Sequence, residues 1–447
     1  MKDKTIAAIS TPVGVGGIAV IRISGKESLE IVSRVYKGKA DILNVPTHTV
    51  HYGHIINEKG EVIDEVLVTV MKAPRSFTGE DVVEIGTHGG VVASKMVLKT
   101  LMNNGAYPAG PGEFTKRAFL NGKIDLSEAE GVIDIINAKN EEAQKNAVGQ
   151  ASGKLSEKID EIRNNLVKLA AAMQVIIDYP DEELEDVTIE DIGRTAGAEM
   201  DKIKTLMDSS ERGKLFCEGI LTAIVGRPNV GKSSLLNILA GEERAIVTDI
   251  AGTTRDVIEE SVNLNGVILR LMDTAGIRNT QDTVEKIGVE RSYESIKKAD
   301  LVLAVFDASE EMTDQDREIL EKTENTKRII IINKTDISDK YPVEGIAISA
   351  KTGDGIDELS NKIKEMYNWG EIGRSDEPIV TNMRHVAALS RARESLSNVV
   401  SGAENYIPSD ILSIDLNDAI DALGEITGAV VSEDIVAEIF HNFCVGK

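Results

Sequence analysis

Apolar and polar positions follow three rhythms along the chain. From Thr5 to about Leu120, the short runs Ile18–Ile23, Glu65–Met71 and Asp81–Ile85 read as strands. The stretches Ser28–Val35 and Val91–Asn103 read as helices, and Pro12-Val13-Gly14 and Ala109-Gly110-Pro111-Gly112 as turns. This mixture predicts an α+β domain. From Ser127 to about Asp208 the period lengthens. Leu155, Ile159, Ile162, Leu166, Leu169, Met173 and Ile176 recur at alternating spacings of four and three. Such spacing keeps an apolar seam on one helix face, and that seam requires a packing partner. Tyr179-Pro180 should end the helix. Helical texture returns after Trp369, in Val386–Val400 and Leu416–Ala429, and between the two helical blocks Ile220 to about Tyr367 is α/β. The order predicts an N-terminal α+β domain (1–120), a helical bundle in two pieces (121–217 and 371–447) and an inserted α/β domain (218–370).

Leu221–Val225 reads as a buried strand and is followed at once by Gly226-Arg227-Pro228-Asn229-Val230-Gly231-Lys232-Ser233, with Ser234 opening an apolar helix pattern. This is a GxxxxGKS phosphate loop in its strand–loop–helix setting. Its glycines let backbone N–H groups face phosphate oxygens, Lys232 supplies a charge between the β- and γ-phosphates, and Ser233 can ligate Mg²⁺. Asp273-Thr274-Ala275-Gly276 follows the strand Ile268–Met272, placing Asp273 behind the magnesium and the Gly276 N–H near the γ-phosphate. Asn333-Lys334-Thr335-Asp336 follows the apolar run Ile329–Ile332, and Ser349-Ala350-Lys351 follows Gly345–Ile348. Asp336 would accept from guanine N1–H and the 2-amino group, a donor pair adenine lacks, so GTP should exclude ATP. Four motifs in order, each at the end of an apparent strand, make a Ras-like P-loop GTPase domain.

Between the phosphate loop and Asp273 lies Thr248-Asp249-Ile250-Ala251-Gly252-Thr253-Thr254, followed by Arg255-Asp256. A threonine here should bind Mg²⁺ and sense the γ-phosphate, making the segment a switch. Where Ras-like sites place a water-orienting glutamine, this chain has Ile277, which cannot hydrogen-bond a water. Asp282 and Glu285 are the nearest acidic candidates for that role. Arg255, Arg278 or a bound cation could supply positive charge at the transition state.

Composition narrows the setting. At 447 residues the chain exceeds one hydrophobic core, while 42% hydrophobic and 28% charged residues are ordinary for a soluble globular protein. Apolar runs such as Leu301–Phe306 are too short to span a bilayer. Two cysteines, Cys217 and Cys444, make no disulfide framework and fit a reducing cytoplasm. The net charge is −24, yet residues 1–120 carry 14 basic against 12 acidic side chains, so the whole deficit lies beyond them. If the protein acts on RNA, a basic partner is expected to hold much of it.

The motifs Ser76-Phe77-Thr78-Gly79-Glu80-Asp81, Pro111-Gly112-Glu113-Phe114-Thr115, Phe119–Leu126, Ile250–Asp256 and Phe443-Cys444-Val445-Gly446-Lys447 appear in this order along the chain. In them the chain resembles the MnmE (TrmE) family of tRNA uridine-modification GTPases over essentially its full length. The resemblance implies an N-terminal folate-binding and dimerisation domain, a helical domain in two pieces and an inserted GTPase domain. It implies a homodimer and a complex, heterotetrameric or larger, with MnmG (GidA), a flavoprotein that brings FAD and NADH. Together they would add an aminomethyl or carboxymethylaminomethyl group to C5 of the wobble uridine (position 34) of certain tRNAs, bound largely through the partner. A reduced folate, 5-formyl- or 5,10-methylene-tetrahydrofolate, would give the carbon.

By the same resemblance Glu285, in Val284-Glu285-Lys286-Ile287-Gly288, becomes the water-orienting acid. Asn229, Thr248, Ile250 and Thr253 become K⁺ ligands, and Ser233 and Thr254 the Mg²⁺ ligands, the potassium standing where an arginine finger would otherwise sit. The folate residues would be Arg22, Glu84, Lys123 and Lys447, and Cys444 would serve tRNA modification and not hydrolysis.

Overall fold

The computed structural model describes residues 4–178, 188–242, 260–272, 296–339, 343–367, 369 and 377–447. The chain forms two compact units, one of residues 1–133, 150–199 and 391–447, the other of residues 134–149 and 200–390.

The first unit holds a seven-stranded sheet of β1 (Ile6–Ile9), β2 (Ile18–Ser24), β3 (Tyr36–Gly38), β4 (Thr49–Ile56), β5 (Val62–Met71), β6 (Val82–His88) and β7 (Tyr107–Pro108), in the order β3-β4-β5-β6-β2-β1-β7. Every neighbouring pair is antiparallel except β1 and β7. Helices α1 (Ser28–Val35) and α2 (Val91–Asn103) cover one face. There Ile21, Ile23, Val68, Val70, Val83 and Ile85 meet Ile31, Val32, Val97 and Leu101. The alternation of β5 shows which side is covered: Val66, Val68 and Val70 are buried while Leu67 is exposed. Strands β1, β3, β4 and β7 are additional to those read from the sequence. Polar and glycine residues break up the apolar signal of β4 (TVHYGHII), and β1 is only four residues long.

Helices α3 (Glu113–Leu120), α4 (Leu126–Asn137), α5 (Glu141–Ala151), α6 (Lys154–Asp178) and α7 (Ile189–Cys217) follow in the chain. Six of the seven seam positions of α6 are buried, and Ile176, two residues before the helix's last described residue, is half-buried. Tyr179 and Pro180 lie outside the described residues. The partner that the seam requires is a helix near the end of the chain, Ser409–Thr427, which packs along α6 with Leu412, Leu416, Ala419 and Leu423 buried. Each fully buried leucine or isoleucine of this seam is worth roughly 1.5–3 kcal/mol.

The second unit contains a six-stranded sheet of β8 (Ile220–Val225), β9 (Glu260–Leu264), β10 (Val267–Leu271), β11 (Leu301–Asp307), β12 (Arg328–Asn333) and β13 (Ile346–Ala347), ordered β13-β12-β11-β8-β10-β9. All pairs are parallel except β9 with β10. A parallel sheet covered on both faces wants continuous apolar strands, and β11 is buried at every position. Helix α8 (Lys232–Glu242) leaves the loop after β8, and α9 (Asp314–Lys322) and α10 (Ile356–Met366) follow β11 and β13. The chain closes with α11 (Met383–Glu404), α12 (Ser409–Thr427) and α13 (Glu433–His441). Among the described residues no helix is long and apolar enough to cross a membrane.

Candidate functional sites

In an open parallel sheet, ligands meet the loops at the carboxyl ends of the strands. Among the described residues of the second unit four loops reach that edge: 226–231 after β8, the turn from Asp307, the last residue of β11, to Ser309, Lys334–Asp336 after β12, and Ser349–Lys351 after β13. Asn333, the last residue of β12, fastens three of them. Its Nδ2 donates to the Val230 carbonyl at 2.8 Å, and its Oδ1 accepts from the Ala350 N–H at 2.9 Å. The phosphate loop approaches it so closely that a Cβ on Gly231, whose φ is +98°, would lie 2.1 Å from Asn333 Nδ2. Asn229, exposed at the loop's apex, also has positive φ, at 65°.

Lys232 and Ser233 open α8, whose N-terminal amides attract anions. The Lys232 amine donates to the carbonyls of Gly226 (2.7 Å) and Arg227 (2.8 Å). Burial pushes its pKa down to about 8. On the base side, Ser349 Oγ donates to Asp336 Oδ1 at 3.0 Å. Lys334, at φ +68°, ion-pairs with Asp307 at 2.5 Å. Burial alone would raise the Asp307 carboxyl, but donors from Lys334 and from the Ser309 side chain and backbone outweigh it and hold the pKa below the usual carboxylate range. Ala350 is buried, and Ser234 and Lys351 are exposed. Asp307 was invisible as a site residue because it stands alone, outside any motif. Thr248–Thr254, Asp273–Gly276 and Glu285 lie outside the described residues, so of the proposed metal ligands the structure describes Asn229 and Ser233.

The first unit carries a separate cluster. Arg22 on β2 stands opposite Glu84 on β6, and its Nε and one Nη both donate to Glu84 Oε1, at 2.9 and 2.7 Å. The guanidinium carbon lies 5.4 Å from the Phe77 ring centre and 5.6 Å from that of Phe114, within cation–π range. The segment after α13 reaches the same place through backbone bonds. The Gly112 N–H donates to Cys444 O, the Phe114 N–H to Lys447 O and Ser10 Oγ to Gly446 O. Burial and then Arg22 lower the pKa of the half-buried Lys447 amine, with Glu84 and Cys444 acting the other way. Arg22, Glu84 and Lys447 thus come together. Lys123 instead places its amine on the Pro74 carbonyl at 3.2 Å, on the neighbouring loop. Cys444 is exposed, unlike the small buried hydrophobe that a lone cysteine between Phe443 and Val445 would ordinarily be.

Phe77, Glu80, Glu113 and Phe114 lie in the motifs at 76–81 and 111–115, but nothing in the sequence assigns them a role. Only the cross-strand pairing and the docked segment at 443–447 show what they surround.

Comparison with known families settles the class. The model described as "GTP-binding protein TrmE N-terminus" matches residues 5–123, and that described as "MnmE helical domain" matches residues 126–444. The chain belongs to the MnmE/TrmE family. Its similarity to individual members extends over the whole chain. The tRNA modification GTPase MnmE of Acetivibrio thermocellus is 48% identical over 457 residues, covering 100% of both chains. That of Enterococcus faecalis is 47% identical over 460 residues, covering 100% of this chain and 99% of its own. Among solved structures, Aquifex aeolicus Era bound to GDP and AlF₄⁻ is 28% identical, covering 39% of this chain and 66% of that one, with a TM-score of 0.26. The α+β sheet falls within the residues matched by the N-terminal model, and the P-loop unit within those matched by the helical-domain model.

Proposed function

We propose that the chain is a potassium-dependent GTPase that, with MnmG, installs an aminomethyl or carboxymethylaminomethyl group at C5 of the wobble uridine in tRNA. One observation carries this reading: besides a guanine-type nucleotide site, the chain gathers Arg22, Glu84 and Lys447 into a second, partly buried site. A GTPase that only assembled RNA would have no use for it.

A reduced folate fits that site chemically. Glu84 Oε2 accepts no hydrogen bond among the described residues, so it is available to pterin N–H donors. Arg22 is paired with Glu84, and the Lys447 amine feels the charge of both, so two cations beside one carboxylate suit the ligand's own carboxylates or formyl oxygen. The bound folate would supply the one-carbon unit. Arg22 and Glu84 orient the ring system, and Lys123, its amine on the Pro74 carbonyl, borders the site beside the 74–81 loop. Exposed Cys444 lies where a thiol could serve the modification step.

In the nucleotide site, Lys232 and the α8 amides hold the phosphates, and Asp336 reads guanine. Asn229 with Thr248, Ile250 and Thr253 would hold K⁺, whose charge offsets that developing on the phosphates. Ser233 and Thr254 would hold Mg²⁺, and Glu285 would orient the attacking water. GTP hydrolysis would drive domain motion, homodimers would assemble with MnmG, and FAD and NADH would act through that partner.

The deciding measurement is nucleoside analysis of tRNA from cells lacking the protein. The C5 substituent of the wobble uridine should disappear, and an unchanged nucleoside profile would sink the reading. Equilibrium dialysis with 5-formyltetrahydrofolate tests the cofactor separately, and exchange of K⁺ for Na⁺ during GTP turnover tests the ion.

A further inference from the structure

Beside the Arg22–Glu84 pair runs a chain of buried and half-buried polar groups that no step above uses. Ser24 follows Arg22 by two residues in β2, so both side chains leave the same face of the sheet. Ser24 is fully buried. Its Oγ lies 2.8 Å from Thr78 Oγ1 and donates to Glu80 Oε2, also at 2.8 Å. The same carboxylate oxygen accepts from Arg117 at 3.0 Å. The other Nη of Arg117 donates to Glu113 Oε1 at 3.0 Å, and Glu113 Oε2 accepts from the Gly110 N–H at 2.8 Å. The Arg117 side chain is only 8% exposed.

Phe77 adjoins Thr78, and Phe114 adjoins Glu113. These are the two rings within cation–π distance of Arg22. They come from different segments, the 74–81 loop and the start of α3, and Arg117 joins those segments through one carboxylate of each, while Asn121 Nδ2 at the end of α3 also donates to Thr78 O at 2.8 Å. Without its guanidinium, Glu80 and Glu113 would face each other as partly buried carboxylates with no cation between them, and the two segments would be pushed apart.

We propose that Arg117, bridging Glu80 and Glu113, is a positioning residue that sets Phe77 and Phe114 about Arg22 and so fixes the affinity of this site for a reduced pterin. The ligand class rests on the folate reading above, but the bridge does not. Arg117 touches no ligand and acts through the two rings.

The test is a double-mutant cycle read by equilibrium dialysis with 5-formyltetrahydrofolate on the full chain. Arg117→Gln should raise Kd roughly tenfold, the worth of a charged hydrogen bond, and Arg117→Lys should recover part of it. If the bridge works through the rings, Arg117→Gln and Phe77→Leu together will cost less than the product of their separate losses. An unchanged Kd in Arg117→Gln, or strictly multiplicative losses, overturns the proposal. If Arg117→Gln does not fold, Glu80→Gln, which keeps volume and one hydrogen bond, replaces it in the same cycle. If the wild-type protein binds no folate, that reading fails by itself, and hydrogen exchange then judges the bridge. Arg117→Gln must deprotect residues 74–81 and 110–117 together, and release of one segment alone, or of neither, refutes the coupling.

Discussion

The nucleotide site and the Arg22 cluster are assembled in different ways. The nucleotide site takes its groups from loops at the ends of neighbouring parallel strands, each loop a run of adjacent residues, and fastens the phosphate loop by Asn333 bonds to backbone, with the Lys334–Asp307 pair and the Ser349–Asp336 bond between adjacent loops. The Arg22 cluster draws on β2, β6, the 74–81 loop, α3 and the segment after α13, and joins them by ion pairs and by a docked length of backbone. A site of the first kind depends on backbone conformation at a few tight points. The second depends on segments distant in sequence arriving together, so it can be loosened by changes that leave every ligand-contacting side chain in place.

The sharpest way to break the comparison is Gly231→Ala. The new Cβ meets Asn333 Nδ2 at 2.1 Å on a backbone of φ +98°, and Asn333 cannot retreat without releasing Val230 or Ala350. Backbone strain and one lost buried hydrogen bond together cost about 3 kcal/mol or more. Affinity for a fluorescent GDP should therefore fall by at least about a hundredfold, while 5-formyltetrahydrofolate binding stays within about twofold. Near-normal GDP binding would show that the loop does not rely on this contact.

Gly446→Ala is the matching test on the other site. Its Cβ would lie 2.5 Å from the Ile9 carbonyl at φ +100°. The 443–447 segment should lift and carry Lys447 away from Arg22. Folate affinity should drop by roughly ten- to a hundredfold, in line with about 1.5–3 kcal/mol of strain and lost charged contact, with GDP affinity untouched. A folate Kd unaffected by this change would mean that the docked segment is not part of the site.

A smaller effect distinguishes the sites by pH. In the protein alone, burial holds the Lys232 amine at about 8, and phosphate oxygens beside it must raise that value. Nucleotide affinity is therefore full below pH 8, where the amine is charged whether or not nucleotide is present. It falls as pH rises above 8, because binding must then take up a proton. The loss approaches about tenfold per pH unit until the bound-state value is reached. Titration with labelled GDP between pH 7 and pH 9 reads this directly, and a flat profile would remove the amine's charge from the binding account.

The same contrast explains what was legible in the sequence. The strand–loop–helix order of the nucleotide unit could be read because each motif is contiguous and sits beside an apolar run. Asp307 could not, since nothing local distinguishes it from any other acid at a strand end. The α6 seam announced that it needed a partner but not which helix would supply it. That choice is made by three-dimensional packing across more than half the chain. Arg22, Glu84 and Lys447 were named only through family resemblance. Their pairing is a matter of strand register, and a one-residue slip in β2 against β6 would turn Arg22 to the other face of the sheet. Arg117 was missed altogether, because a buried arginine between two carboxylates looks in sequence like three ordinary surface charges.

Cys444→Ser should have the smallest effect on binding and separates docking from chemistry at the Arg22 cluster. The contact that Cys444 makes in holding the segment is through its carbonyl, which accepts the Gly112 N–H at 3.3 Å. Serine keeps that bond, and the exposed side chain leaves room for the smaller oxygen. Folate affinity should therefore stay within about twofold, and GTP turnover should not change. If the thiol takes part in modification, the tRNA product will nonetheless fall, because a serine hydroxyl is a far weaker nucleophile than a thiolate near neutral pH. Loss of folate affinity along with the product would instead make Cys444 a structural clasp. Retention of both would leave Lys447 as the reason the segment is docked there.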